Sequence, residues 1–304
     1  MLRLHRHVVD YLSTVHLELE HSGFPFFLRE SRGEDHRHAR VTFDAMRVDS
    51  TLAPVPKLSV VVITLNEASN IEDALASVAW AHEIVVVDCG STDETVALAR
   101  RHTARVSHRD WLGYGDQKNH ATGLATNDWV LSLDADERVS LELATEITSL
   151  LGQDPVHSGY RFPRTTRYLG RWIRTTDWYP DHQLRLYDRR GASWSSDPVH
   201  ESVRVDGSVG RLRHELHHHS YRNLSDHLAT IDCYTTLAAK QLLERGRRAG
   251  PLDLLVHPLV AFLRNYLIRR GCIQGIPGLV VSLMNAYYVF LKHAKLWELR
   301  RQPD

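Results

Sequence analysis

The chain has 304 residues, 43% of them hydrophobic, and its 37 basic side chains are matched by 37 acidic ones. That length and hydrophobic content suit a globular protein with one large or two smaller domains, and the cancelled charge removes bulk electrostatics as an argument for a nucleic-acid partner. Three scattered cysteines, Cys89, Cys233 and Cys272, are too few for a disulfide framework and point to a reducing compartment.

Residues 1–56 read as a weakly ordered extension, with a short helix to about Glu20 followed by the charged run RESRGEDHRHAR. It holds six of the twenty histidines without ligand-like spacing, as a solvated arm would. The polar positions in VVDYLSTVHLELEH interrupt any apolar stretch, so no signal peptide is visible and a cytoplasmic protein is expected.

From Leu58 the pattern alternates strand, turn and helix. Residues 58–63 form an unbroken apolar run of the kind a parallel sheet buries on both faces. Asn70 is placed to cap a helix bearing Ile71, Ala74, Leu75 and Val78 on one side. Residues 83–88 predict a second strand, and STDE at 91–94 has the form of a capping box for a helix reaching Arg101. A short strand near Val106, a helix through His120 and a strand over 129–133 complete an alternating half. Such alternation implies a parallel α/β sheet with ligands at the carboxyl ends of its strands. Past Ser140 one more helix precedes GYRFP, QLRLYD and SVRVDG, short strands of a mixed or antiparallel part.

From about Leu224 the pattern is helical. Leu252, Leu255, Val256, Leu259, Leu263 and Leu267 form one apolar stripe beside Arg264, Arg269 and Arg270, as in a basic amphipathic helix. Residues 276–291 are nearly all apolar, but these sixteen positions include Ser282 and Asn285 and fall short of the roughly 20 that span a bilayer. An interfacial helix pair lying on the inner face of the cytoplasmic membrane is the expected reading, with ordinary core packing or a dimer face, and a true transmembrane span, as its alternatives. Residues 160–190 carry eight arginines against three aspartates, a bias that suits an anionic partner. The organisation expected is an extension over 1–56, a catalytic domain over 57–223 and a helical, membrane-associating region over 224–304.

Three polar stations stand at the ends of apolar runs: LSVVVITLNE, EIVVVDCGSTDET and WVLSLDADE. They outline a nucleotide-sugar site. In the third, Val130, Ser132, Asp134 and Asp136 alternate, and a strand period of two would send both carboxylates to one side. Two such carboxylates can bind Mg2+ or Mn2+ through hard oxygen ligands, and the ion would meet the negative charge that grows on a departing diphosphate. Asp88 can accept hydrogen bonds from a base or ribose, or else cap a helix. Asn66 and Glu67 occupy the comparable place after the first strand. HELHH at 214–218 matches the zinc-protease pattern H-E-x-x-H, yet its neighbours alternate as in a strand, so zinc hydrolysis is not expected. A histidine of this run, His219 foremost, is instead a candidate to complete a metal shell.

The segments VVITLNEASNIEDALASV, VVVDCGSTDET, GDQKNHA, LSLDADE, QLRLYDRR and PVHESV resemble the family 2 glycosyltransferases over residues 57–221. Within that family the chain is most similar to the lipopolysaccharide core β-glucosyltransferase group, which the C-terminal FLKHAKLWE also matches. The resemblance implies a GT-A fold, a Rossmann-like mixed sheet, and inverting transfer from a UDP-linked sugar, glucose by the nearest group, with Mg2+ or Mn2+. It implies that Glu67 and Asp88 contact the nucleotide, Asp134 and Asp136 the metal and diphosphate, and Lys118 the donor region. The acceptor would be a lipopolysaccharide core or lipid-linked saccharide. Inversion needs one base to take the acceptor proton, and Glu201 in DPVHESV is the candidate. Arg185 and His200 are candidates to orient donor phosphate or acceptor. No QxxRW motif is present, which disfavours a processive polymerase. Two other readings are a haloacid-dehalogenase-type phosphatase, which would share the D-x-D strand, and a catalytically dead membrane-associated scaffold.

Overall fold

The computed structural model describes residues 57–195 and 201–301. The extension over 1–56 and His200 lie outside the described residues.

The alternating half forms as expected. β1 (Leu58–Thr64), α1 (Ile71–Ala76), β2 (Glu83–Asp88), α2 (Thr95–Ala99), β3 (Val106–His108), α3 (Tyr114–Leu124) and β4 (Trp129–Asp134) follow one another along the chain. β1 lies between β2 and β4, and all these strand pairings are parallel. The chain therefore runs outward from β1 to β3 and returns on the other side of β1, which opens a crevice at the carboxyl ends of β1 and β4.

The unbroken apolar run of β1 is explained by cover on both faces. Val60 and Val62 join the cluster containing Ile71, Leu75, Leu143 and Ile147, whereas Val61 and Ile63 join the cluster containing Tyr114, Ala121 and Val130. Each such aliphatic side chain stabilises the sheet by about 1.5–3 kcal/mol.

The second half is mixed. β5 (Glu137–Val139), α4 (Leu141–Leu151), β6 (Gly159–Tyr168), β7 (Arg171–Ile173), β8 (Asp181–Asp188), β9 (Ala192–Trp194), β10 (Val203–Val205), β11 (Val209–Arg211) and β12 (Leu216–His218) extend the molecule. The main sheet has the order β3-β2-β1-β4-β8-β6-β12-β5, with β7 and β11 also on β6, while β9 and β10 pair apart from it. β8 is antiparallel to β4, and β12 runs parallel to β6 and antiparallel to β5. HELHH thus contributes to strand β12 and not to a zinc-binding helix.

Local chemistry departs from expectation at two helix starts. The Asn70 side chain does not cap α1; its Nδ2 donates to Glu67 Oε2 at 2.9 Å. The capping box at 91–94 does not form, because Asp93 accepts from the Thr95 backbone N–H at 3.0 Å, a local turn that competes with the helical cap. α2 ends at Ala99 and does not reach Arg101. Ser140 does cap α4 by accepting from Leu143 N–H, worth about 1 kcal/mol.

Three helices finish the chain: α5 (Leu224–Glu244), α6 (Pro251–Leu263) and α7 (Ile276–Leu299). α5 packs on α7 through Ile231, Tyr234 and Tyr288, and Val281 of α7 reaches Tyr168 and Ile173 of the sheet. The first turn of α7 packs closely on the short 3-10 turn that precedes it, Gly271–Gln274, because a Cβ at Gly278 would run into the Gly271 carbonyl oxygen. Asp177 ties the layers together, accepting from Arg264 and Asn265 at 2.8 Å and from Asn285 at 3.1 Å. Among the described residues no helix is long and apolar enough to cross a membrane.

Candidate active site

The first two stations are laced to each other. Asn66, at a left-handed φ of 53°, accepts from Thr92 N–H through its side-chain Oδ1 and donates its own backbone N–H to Ser91 Oγ, both at 2.8 Å. Here the short amide side chain offsets the backbone cost by bonding across the crevice. Glu67 is buried, and its backbone N–H donates to Thr95 Oγ1 at 2.7 Å. Asp88 Oδ2 accepts from Gly90 and Ser91 N–H, each at 2.9 Å. Asp88 therefore holds its own turn at the strand end. The neighbouring Cys89 thiol is pushed up to about 11 by burial, so it is not a thiolate nucleophile at neutral pH.

The third station differs from the expected alternation. β4 ends at Asp134, and Asp136 lies in the turn before β5, so the strand period does not carry through to it. The two carboxylates consequently meet different partners. Asp134 is fully buried, with Arg185 Nη2 at 2.7 Å and Lys118 Nζ at 3.6 Å. Asp136 faces His218, whose Nε2 is 3.4 Å from Asp136 Oδ2.

Lys118 projects from α3 and is 1% exposed. Its ammonium lies 3.4 Å from Glu201 Oε1 and 4.3 Å from the Trp194 ring centroid. Arg185, on β8, stands 5.6 Å from the same ring. Trp194 is thus a shared cation–π floor for both cations. Lys118, Asp134, Arg185 and Glu201 converge at one buried centre, while Asn66, Glu67 and Asp88 form the adjacent rim.

Several site residues carry no recognisable short motif. Glu137 is fully buried, accepts from the Asp134 backbone N–H at 3.0 Å and pairs with Arg164 at 3.1 Å. Its place directly after the D-x-D was the available signal. His218 reaches Asp136 because β12 pairs with β5, setting His218 opposite Glu137. His219, the histidine expected nearer a metal, instead packs edge-on against Trp172, and only its backbone N–H bonds Asp136. Burial, with Arg138 and Arg167 nearby, lowers the His219 imidazole to about 4.

A divalent ion fits part of this arrangement. The 3.4 Å between Asp136 Oδ2 and His218 Nε2 is close to the about 3 Å expected between adjacent ligands at bond lengths near 2.1 Å. A carboxylate oxygen and an imidazole nitrogen suit Mn2+ or Mg2+. A different group, Asp253, His257 and His293, also has metal-ligating geometry, but it is built on α6 and α7 and not on the strand ends.

Residues 59–205 match the family model "Glycosyl transferase family 2". A Rickettsia felis protein described as an uncharacterized glycosyltransferase is 32% identical over 263 residues, covering 80% of this chain and 90% of its own length. The lipopolysaccharide core biosynthesis glycosyltransferase LpsC of Rhizobium meliloti is also 32% identical over 263 residues, covering 82% of this chain and 97% of its own. The mannosyltransferase PcManGT of Pyrobaculum calidifontis is a more distant likeness, with 17% identity, a TM-score of 0.48, and coverage of 82% of this chain and 90% of that one. The chain belongs to glycosyltransferase family 2, and its curled mixed sheet with C-terminal helices is of the GT-A type. It is accordingly a transferase that moves a sugar from a nucleotide-linked donor to an acceptor, and the phosphatase reading of the D-x-D strand falls away.

Proposed function

We propose that this transferase inverts the anomeric centre while moving a sugar from a UDP-linked donor to a lipopolysaccharide core or lipid-linked acceptor. Glucose is the sugar that its similarity to the core β-glucosyltransferases implies. The observation that carries the reading is the buried Lys118 ammonium between Asp134 at 3.6 Å and Glu201 at 3.4 Å. This juxtaposition sets the D-x-D beside a carboxylate able to take a proton.

Glu201 is the base. Its carboxylate removes the acceptor hydroxyl proton as that oxygen attacks the anomeric carbon from the face opposite the nucleotide, and no covalent intermediate is needed. Lys118 and Arg185, held by Asp134 over Trp194, present fixed positive charge where the diphosphate departs, and their burial strengthens that electrostatic help. Asp136 with His218, and Asp134 beside them, would hold Mg2+ or Mn2+, which when bound supplies further positive charge to the leaving diphosphate. Asn66, Glu67 and Asp88 border the nucleotide.

The acceptor reading rests on the likeness to LpsC and on exposed cations of the mixed half of the sheet. Arg167 and Arg171 are exposed on β6 and β7. α6 turns Leu252 and Leu255 outward, 73% and 71% exposed. Such a stripe beside the exposed Arg270 supports peripheral binding at the inner face of an anionic membrane, while Arg264 is turned inward to Asp177.

Calorimetric titration of UDP and UDP-glucose, with and without Mn2+, tests the donor assignment. Metal-dependent UDP binding that disappears in Asp136→Ala is the expected result. Equal binding in wild type and variant would remove the D-x-D from the donor site.

A further inference from the structure

α6 lies on the surface, with a wide apolar face left uncovered. None of its residues is fully buried, and it lies along α7 with Leu252, Leu255, Val256, Leu259 and Leu263 turned outward. Polar groups gather where the two helices meet. Asp253 and His257 are one turn apart on α6, His293 projects from α7, and one ligand atom from each lies within 4.8 Å of the others.

The surroundings orient these atoms as ligands. His293 Nδ1 lies 2.9 Å from the Val289 carbonyl oxygen, which only accepts, so Nδ1 carries the proton and Nε2 offers its lone pair. Asp253 Oδ2 accepts from Gly250 N–H at 2.8 Å, while Oδ1 stands 3.4 Å from His257 Nδ1. The two imidazoles are tilted by 53° with centroids 5.2 Å apart, so their edges converge and their faces do not stack. Two imidazole nitrogens and one carboxylate oxygen make three ligands of the kind a four-coordinate divalent transition metal takes, with water the usual fourth.

We propose that Asp253, His257 and His293 form a Zn2+-class site that staples α6 to α7. Its ligands come from the C-terminal helices and not from the strand ends that carry Asp134 and Asp136. The ion would fix the angle of the helix that presents the apolar stripe. An ion bound only by the folded chain raises stability by mass action, so the staple has a thermal signature.

The test is Zn2+ titration of the chelator-stripped full chain by calorimetry, with parallel thermal melts and a Co2+ absorption spectrum. Wild type is expected to take up one more equivalent than His257→Gln, with a tetrahedral Co2+ spectrum and a Zn2+-dependent rise in Tm that this variant lacks. His293→Gln should weaken that binding at least tenfold, whereas Asp136→Ala should retain it. His257 is exposed, so loss of folding does not confound its variant. Binding confined to the chain's other histidines would give wild type and His257→Gln the same stoichiometry and the same Tm shift. That outcome overturns the site, as does the absence of a Co2+ spectrum in wild type.

Discussion

Arg185 Nη2 donates to Asp134 Oδ2 across 2.7 Å, with both side chains buried. The pair joins β8 to the end of β4 and fixes a cation beside the D-x-D. Because neither charge has ready access to water, the pair matters most when one member is removed. Arg185→Met should cost about 3–5 kcal/mol, since Asp134 would lose its closest counter-charge. Urea denaturation measures that cost, and transfer activity should fall with it; unchanged stability would mean that Lys118 alone compensates Asp134.

Glu201→Gln keeps the shape of the side chain and removes its basicity. Transfer should slow by about 10²–10⁴-fold, the span typical of a lost general base, while metal-dependent UDP binding persists. Asp136→Ala should lose both. Equal loss of UDP binding in the two variants would take Glu201 out of the base role.

Asp177 accepts from Arg264, Asn265 and Asn285 and thereby holds the C-terminal helices to the turn before β8. Asp177→Ala leaves those donors without their common acceptor, at about 3 kcal/mol. Hydrogen exchange should accelerate first in α6 and α7, because the lost bonds are local to their docking. Uniform acceleration across the sheet would contradict this.

His227 is buried beside Tyr168, whose hydroxyl lies 2.7 Å from Nδ1, and burial lowers the imidazole to about 4. The unfolded chain takes up this proton near pH 6.5 and the folded chain only near pH 4, so stability falls as pH drops through that window. The loss reaches about 3 kcal/mol at pH 4. Urea midpoints at pH 7 and pH 4.5 should separate more in wild type than in His227→Gln.

The outward stripe of α6 offers a variant with little structural cost. Leu255→Glu with Leu259→Glu places charges at exposed positions, so Tm should change little while binding to anionic vesicles drops at least tenfold. Undiminished sedimentation with vesicles would assign the membrane contact elsewhere.

The strands and the crevice were legible because they depend on local pattern. A continuous apolar run such as VVVIT can be buried only in a covered sheet, and a polar residue at its end must lie near the strand terminus. The same locality misled at Asp136. Alternation placed it with Asp134, but the chain turns after β4, and a turn has no period of two. Asn70 failed as a cap because the Glu67 carboxylate engages its side chain, and the 91–94 run because Asp93 within it takes the Thr95 N–H.

By itself the sequence determined the alternating half, the helical C-terminus, the three polar stations and the residue types that family 2 chemistry requires. Tertiary structure alone decided which of them meet. Lys118 reaches Glu201 across 83 positions, and Arg185 reaches Asp134 across 51. His218, not His219, faces Asp136 because β12 runs antiparallel to β5. The physical reason is that periodicity and turn propensity act over a few residues, whereas strand order and register arise from burial satisfied across the whole sheet.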